Sequence, residues 1–263
     1  MTGPAEEHRS TIQVLTKAVR VMDCFTASSP ALHVSQVREW TGLPPTTCAR
    51  ILRSLVAERL LERNGDTYRA GLRVVSWAAS ASAGSELIAL ARPVLVAMRD
   101  EHEETAALQV RHGGHRITIA LEASRRPIIY RGLVGEVMAL HTGASGKVMM
   151  AFDPAAFDAA VQTGLARFTD RSVTDPAVLQ EQLHQIREAG FAICRDEREQ
   201  GLSSLAAPVF TRGSELAATV SLALPSFRIA ASDEPRLTQT VAAAAADLSS
   251  RLGHVGPASV PSS

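Results

Sequence analysis

The stretch His141-Thr-Gly-Ala-Ser-Gly-Lys147 concentrates the residue types in this chain that could do chemistry. A glycine-rich loop that runs into a helix over Lys147–Phe152 presents backbone N–H groups with no partner of their own, and such groups suit an anion, usually a carboxylate. The plainer alternative is that Gly143-Ala-Ser-Gly146 is a capped turn. Lys147 either binds a ligand or makes an ion pair on the surface, and a structural role is expected. The stretch is not a nucleotide-phosphate loop, because His141 stands where the first glycine is needed and Val148 where Ser or Thr is needed. Ser145 beside His141 and Lys147, or Ser203-Ser204 near Asp196, has the residue types of a hydrolase nucleophile with a base. Neither has Gly-x-Ser-x-Gly spacing, and no arrangement names an oxyanion hole. No catalytic residue is therefore expected, with a small-molecule hydrolase using Ser145 or Ser204 kept as the rival.

A second concentration lies between Leu32 and Gly71. Thr46, Thr47, Arg50 and Arg53 fall on one short segment, off its apolar face, whose members are Ile51, Leu52, Leu55 and Val56. Pro44-Pro45 opens that segment, where a missing N–H costs nothing. Before it, Val34, Val37 and Trp40 or Thr41 give a shorter helix that Gly42 stops. After it, Leu60-Leu61 leads into alternating residues around Asn64-Gly65-Asp66, a hairpin pattern. Helix, turn, helix and wing in this order put one helix into a DNA major groove, with its N-terminal half on base edges and phosphates. Arg63 and Arg69 flank the wing tip and reach toward a phosphate or the minor groove. Ile12, Leu15, Val19, Met22 and Phe25 mark an apolar face on a preceding helix, which Ser10 or Thr11 caps and Ser28-Ser29-Pro30 ends.

The whole composition sets the frame. In 263 residues there is room for two modest domains, and 46% hydrophobic with 21% charged residues is ordinary for a globular chain. No apolar run approaches the roughly 20 residues of a membrane span, and the polar, acidic start is unlike a signal peptide. Cys24, Cys48 and Cys194 are odd in number, far apart and without zinc spacing, which favours a reducing cytoplasm over a disulfide framework. Cys48 is expected in or near the core. Residues 1–84 carry 10 Lys+Arg against 7 Asp+Glu, and residues 85–263 carry 17 against 20, a mildly basic head on a mildly acidic body. No metal and no cofactor is expected.

Beyond the head, the Ala- and Ser-rich run 72–84 reads as a joining helix whose small side chains permit close approach, including to a second copy. Leu87, Leu90, Ala91, Val94, Leu95 and Met98 form another helical stripe, with Pro93 limiting its start. Strands are expected at Ala106–Val110, Ile117–Leu121, Ile128–Tyr130, Phe191–Cys194, Leu205–Phe210 and Ala217–Leu224. Helices are expected at Ala177–Glu188 and Leu237–Leu252. Helices before, between and after groups of strands favour an α+β body with a largely antiparallel sheet.

The ordered set of segments is similar to the IclR family of bacterial transcription regulators over about residues 10–252. It comprises Gln13–Phe25, Gly42-Leu-Pro44, Thr46-Thr47, Arg50-Ile-Leu52, Leu60–Arg63 and Tyr68–Gly71 in the head. In the body it comprises Ala91–Leu95, Leu140–Lys147, Gly190-Phe-Ala192 and Gly201–Val209. Pro45 stands where the family often has Lys or Arg, and Ala49 where a larger side chain is common, so the start of the recognition helix offers fewer contacts. The resemblance implies a winged helix-turn-helix domain at 10–71, a linker helix at 72–84 and an effector-binding domain at 85–252 similar to the GAF/PAS sensors. Flexible ends at 1–9 and 253–263 complete the expected organisation. It implies effector contacts from Ala144 and Ser145 in the loop, Cys194 at a strand end, Leu202 and Ser204 on the next strand, and Ser221 and Ala223 beyond it. Ser221 and Ala223, two apart, share one side of their strand. Cys194 stands where some relatives have an acid, with Asp196 and Glu197 just beyond. The implied partners are a palindromic DNA operator, a small-molecule effector, and a second copy in a homodimer or a dimer of dimers. A body that serves only in assembly is the remaining alternative.

Overall fold

The computed structural model describes residues 12–26, 29–230 and 232–255. The expected flexible start (residues 1–9), the caps Ser10 and Thr11, Ser28 of the expected helix stop and residues 256–263 lie outside the described residues. The chain divides into two compact units, Met1–Gly84 and Ser85–Ser263.

The first unit runs α1 (Gln13–Met22), β1 (Ala31–His33), α2 (Val34–Thr41), α3 (Pro45–Ala57), β2 (Leu61–Asn64), β3 (Thr67–Ala70) and α4 (Leu72–Ala83). The turn between α2 and α3 follows from its residues. Gly42 takes φ +63°, a left-handed conformation that glycine adopts without penalty, and its N–H closes on the Arg38 carbonyl at 2.9 Å. The Thr41 hydroxyl donates to the Val37 carbonyl at 2.6 Å and accepts the Leu43 N–H, so the turn's polar groups are satisfied where the chain is buried. Pro45 sits in the first turn of α3. Val37, Cys48, Ile51, Leu52, Leu55, Leu61 and Tyr68 close the core beneath, each large aliphatic contributing roughly 1.5–3 kcal/mol of burial.

Three local expectations are corrected. The helix stop expected at Ser28-Ser29-Pro30 comes earlier, because α1 ends at Met22; Phe25 lies beyond the helix and packs on the core from the turn. The stripe Ile12, Leu15 and Val19 does not face that core; these side chains are 68, 62 and 49% exposed. The wing carries a third strand, since β1 pairs with β3 with Leu32 opposite Tyr68. His33 at its end caps α2 reciprocally: its ring accepts the Ser35 N–H, and its own N–H donates to Gln36 Oε1 at 2.9 Å.

The second unit runs α5 (Glu86–His102), β4 (Thr105–His112), β5 (His115–Glu122), β6 (Val137–Ala139), α6 (Ala144–Phe152), α7 (Pro154–Thr163), α8 (Pro176–Ala189), β7 (Ala192–Arg195), β8 (Leu202–Phe210), β9 (Leu216–Pro225) and α9 (Glu234–Arg251). Six strands form one antiparallel sheet in the order β6-β5-β4-β9-β8-β7. The α+β architecture with an antiparallel sheet is thus present. Val220, Leu222 and Leu224 of β9 and Leu205, Ala207 and Val209 of β8 face α5 and α9 in one core. Ala192, Cys194 and Ala206 face α6 and α8 in a second core. The period of two puts Ser221 and Ala223 on the face opposite Val220 and Leu222.

No strand forms at Ile128–Tyr130. Side chains tie that segment down instead: Thr105 donates its hydroxyl to the Tyr130 carbonyl and Arg228 donates to the Ile128 carbonyl. The edge beside β5 is taken by β6, which pairs His115 with Ala139 and Ile117 with Val137. Beyond α9, the His254 N–H donates to the Ser249 carbonyl and its ring packs on Phe210.

Candidate functional site

On the first unit, α3 turns Thr46, Arg50 and Arg53 outward, with Thr47 half-buried. Cys48, Ile51, Leu52 and Leu55 hold the opposite face. Arg50 has no hydrogen-bond or ion-pair partner among the described residues, while Arg53 donates only to the Ala49 carbonyl of its own helix. The wing arginines are less free. Arg69 donates twice to Glu62 Oε2, at 2.8 and 2.6 Å, across the β2–β3 pair. Arg63 donates to the Gly65 carbonyl and reaches Asp66 at 3.4 Å. Both pairs are solvent-exposed, where an ion pair is worth little and opens readily to a phosphate.

On the second unit a cavity opens between the first turn of α6 and the sheet. Ala144, Ser145, Cys194, Leu202, Ser204, Ser221 and Ala223 all line it. The register explains their meeting: Ser204 of β8 lies opposite both Cys194 of β7 and Ala223 of β9, and Ser221 lies opposite Ala107 of β4. Small side chains here leave the space, and α6 sits over it as a lid.

The loop N–H groups are not all free. The Gly143 N–H donates to Glu197 Oε2 at 3.3 Å, and the Ala144 N–H donates to Ser204 Oγ at 3.0 Å. Lys147 is not on the surface; its ammonium is buried between Glu197 Oε1 at 2.5 Å and Gln182 Oε1 at 2.7 Å. Burial pushes the Cys194 thiol up to about 12, so it stays protonated.

Sequence reasoning missed other polar residues of the lining: Gln109, Arg116, Thr118, Tyr130 and Arg198 also line the cavity, together with Glu197. Arg116 is 4% exposed. Its Nε donates to Gln109 Oε1 at 3.1 Å, a terminal nitrogen donates to the Ala139 carbonyl, and the other meets Met138 Sδ at 3.7 Å. No carboxylate pairs with it among the described residues. Burial, reinforced by neighbouring Arg198, pulls its pKa down to about 10. Arg198, by contrast, is matched: it donates to Glu136 at 3.1 Å and to the Tyr130 hydroxyl at 2.7 Å, and that hydroxyl donates to Glu136 at 3.0 Å. Burial, with the Glu136 charge adding to it and Arg198 opposing, pushes Tyr130 up to about 12. The available signal was the alternation Arg116-Ile-Thr118 in a strand, which sends an arginine to the same inward face as a threonine.

The geometry does not assemble a hydrolase. The His141 ring is buried and its Nε2 donates to the Ala166 carbonyl at 2.8 Å, and no hydrogen bond joins it to Ser145 among the described residues. Ser203 contacts Ser226, which donates to Asp196, with no histidine in the chain of bonds. Ser204 is engaged by the Ala144 N–H.

Two family models match the chain: the IclR helix-turn-helix domain over residues 14–65 and the bacterial transcriptional regulator IclR C-terminal domain over residues 79–250. The chain belongs to the IclR family of bacterial transcriptional regulators. The glycerol operon regulatory protein of Streptomyces griseus is 31% identical, over 92% of this chain and 97% of that one. An IclR transcriptional regulator of Alicyclobacillus acidocaldarius shares the fold with a TM-score of 0.80 at 23% identity, covering 92% of this chain and 100% of that one. An IclR homologue of Microbacterium hydrocarbonoxydans, solved in complex with 4-hydroxybenzoate, has a TM-score of 0.72 at 22% identity, covering 91% and 99%. This IclR-family chain is a transcription regulator rather than an enzyme, with a DNA-binding helix-turn-helix unit and a C-terminal ligand-binding unit. Among the described residues no single helix is long and apolar enough to cross a membrane.

Proposed function

We propose that this regulator reads a palindromic operator as a homodimer and is controlled by a small organic or aromatic acid bound in the cavity beneath α6. The single observation that carries the reading is the convergence of Ala144, Ser145, Cys194, Leu202, Ser204, Ser221 and Ala223 on that one cavity, in a chain that also bears an exposed Arg50 on its recognition helix. Thr46, Thr47, Arg50 and Arg53 contact base edges and adjacent phosphates, and Arg63 and Arg69 add wing contacts once their exposed acid partners yield.

The homodimer draws support from unsatisfied apolar surface on the first unit. Helix α4 buries none of its residues, and Leu72, Val75 and Trp77 are 76, 63 and 54% exposed. A 12-residue helix without packing is marginal in water. A second copy on α4 and on the exposed stripe of α1 supplies the packing and sets two recognition helices about 34 Å or a multiple apart. The effector acts by binding one arrangement of the heads more tightly than another, with α4 leading from the head to the boundary at Gly84. The 4-hydroxybenzoate held by the Microbacterium homologue makes an aromatic acid a reasonable first probe. The test is a gel shift on DNA upstream of the regulator's own gene, with and without small carboxylates. A retarded complex whose affinity changes with a carboxylate is expected, and a protein that never retards that DNA overturns the reading.

A further inference from the structure

Arg116, Arg198 and Glu197 line the cavity, Lys147 and Glu136 pair with two of them from outside the lining, and among the described residues that pairing leaves one cation over. Lys147 is matched by Glu197, and Arg198 by Glu136. Arg116 has only neutral partners: an amide oxygen, a backbone carbonyl and a thioether sulfur. A buried charge without a counter-charge costs several kcal/mol, which neutral hydrogen bonds offset only in part.

Its placement adds to that cost. A Cβ built on Gly143 would stand 3.1 Å from one terminal nitrogen of Arg116, and one on Gly146 would stand 2.8 Å from the other and 2.0 Å from the Leu140 carbonyl oxygen. Glycine at these two positions lets the guanidinium lie directly against the first turn of α6. That turn is itself the electropositive end of a helix. Two positive ends thus stand side by side on the wall of a cavity whose apolar lining includes Ala107, Leu121 and Ala223. An anion in the cavity beside them relieves both. Guanidinium also offers a planar fork of donors suited to a carboxylate, and only part of that fork is used by the protein.

We propose that Arg116 is the counter-charge of the effector, and that the effector is a compact monoanion whose carboxylate lies in the cavity against this guanidinium, beside the first turn of α6. The proposal rests on the reading of this cavity as the effector site and deepens it. One unmatched cation selects one negative charge. A neutral amide of the same shape leaves Arg116 unmatched. A dicarboxylate brings a second charge toward Glu197 and Glu136, whose cations are already taken.

The experiment is thermal unfolding of the full chain with acetate, benzoate and 4-hydroxybenzoate, set against acetamide, benzamide, 4-hydroxybenzamide and terephthalate. A ligand selective for the folded state raises the melting temperature. At least one monocarboxylate is expected to raise it, with its amide giving no shift and terephthalate binding more weakly than benzoate. Arg116→Met is expected to weaken carboxylate binding by about ten- to a hundredfold, the loss of a charge-assisted bond. Without ligand this variant melts no lower than the parent, because removing an unmatched buried charge relieves the fold. Arg116→Lys, which keeps the charge but not the fork, retains the preference for carboxylate over amide at reduced affinity. An amide that matches its carboxylate, a panel that gives no carboxylate shift, or an Arg116→Met variant that unfolds or binds carboxylates normally overturns the proposal. A carboxylate shift that survives in Arg116→Met but disappears in Ser145→Trp removes Arg116 alone and leaves the effector cavity standing, and operator gel shifts report on the DNA-binding reading separately.

Discussion

Lys147 and Glu197 meet at 2.5 Å beneath the first turn of α6, with side chains 3 and 11% exposed. Glu197 also accepts the Gly143 N–H, so one carboxylate both neutralises the buried lysine and caps the loop. Removing that acid strands the ammonium. Glu197→Gln is expected to destabilise the protein by about 3–5 kcal/mol, the cost of breaking a buried pair. Urea unfolding of this variant and of a Lys147→Met/Glu197→Gln double variant checks it. Recovery of stability in the double variant is the expected outcome, and an unchanged midpoint in Glu197→Gln would show the pair to be dispensable.

Arg50 projects from α3 without a partner among the described residues, so its loss is expected to leave the fold alone. Arg50→Ala is expected to keep the parent's melting curve while weakening operator binding by about 1–3 kcal/mol and relaxing sequence preference at one base pair. Gel shifts over a set of single-base operator variants read both effects. Unchanged affinity and preference would take Arg50 out of the reading set.

Ser145 is buried in the first turn of α6, on the cavity wall. Ser145→Trp fills the cavity and is expected to abolish the carboxylate response while operator affinity stays within about twofold, since the recognition helix lies in the other unit. A variant that still responds to carboxylates would place the effector elsewhere.

Leu72 and Val75 lie on the exposed face of α4. Replacing both with glutamate sets like charges against each other across a two-fold interface. Sedimentation velocity is expected to show a shift from dimer toward monomer, with operator binding weakened because two linked half-site contacts become one. A dimer that persists unchanged would locate assembly on another surface.

Acid should weaken the second unit. Burial lowers the pKa of His141 and of His102 below the ordinary value of 6.5. The folded form therefore binds fewer protons than the unfolded form between the lowered values and 6.5. The histidine contribution to stability is complete above pH 6.5 and is lost as pH falls through the lowered values. Melting temperatures measured at pH 7.5 and 5.5 are expected to fall, and a flat profile would mean that both rings charge freely in the folded state.

The head was legible because local rules decide it. A glycine that can take positive φ, a proline pair at a helix start and an apolar spacing of three and four specify α2, the turn and α3 from neighbours in the chain. The strand pairs of the body were legible for the same reason, apart from Ile128–Tyr130, where distant Thr105 and Arg228 claim the backbone. Helix α7 and strand β6 escaped because three to ten residues of mixed small side chains carry too little periodicity.

Sequence alone thus determined the winged helix-turn-helix head, the antiparallel α+β body and seven of the cavity residues through the family resemblance. Tertiary structure decided what those residues face. Register placed Ser204 opposite both Cys194 and Ala223, set Glu197 on the loop that sequence left open to a ligand, and buried Arg116 without an acid. Charge pairing depends on distances between residues tens of positions apart, which no local spacing encodes. The same limit holds for α1, whose apolar stripe was plain in the sequence, while only the folded unit showed that it lies open to solvent.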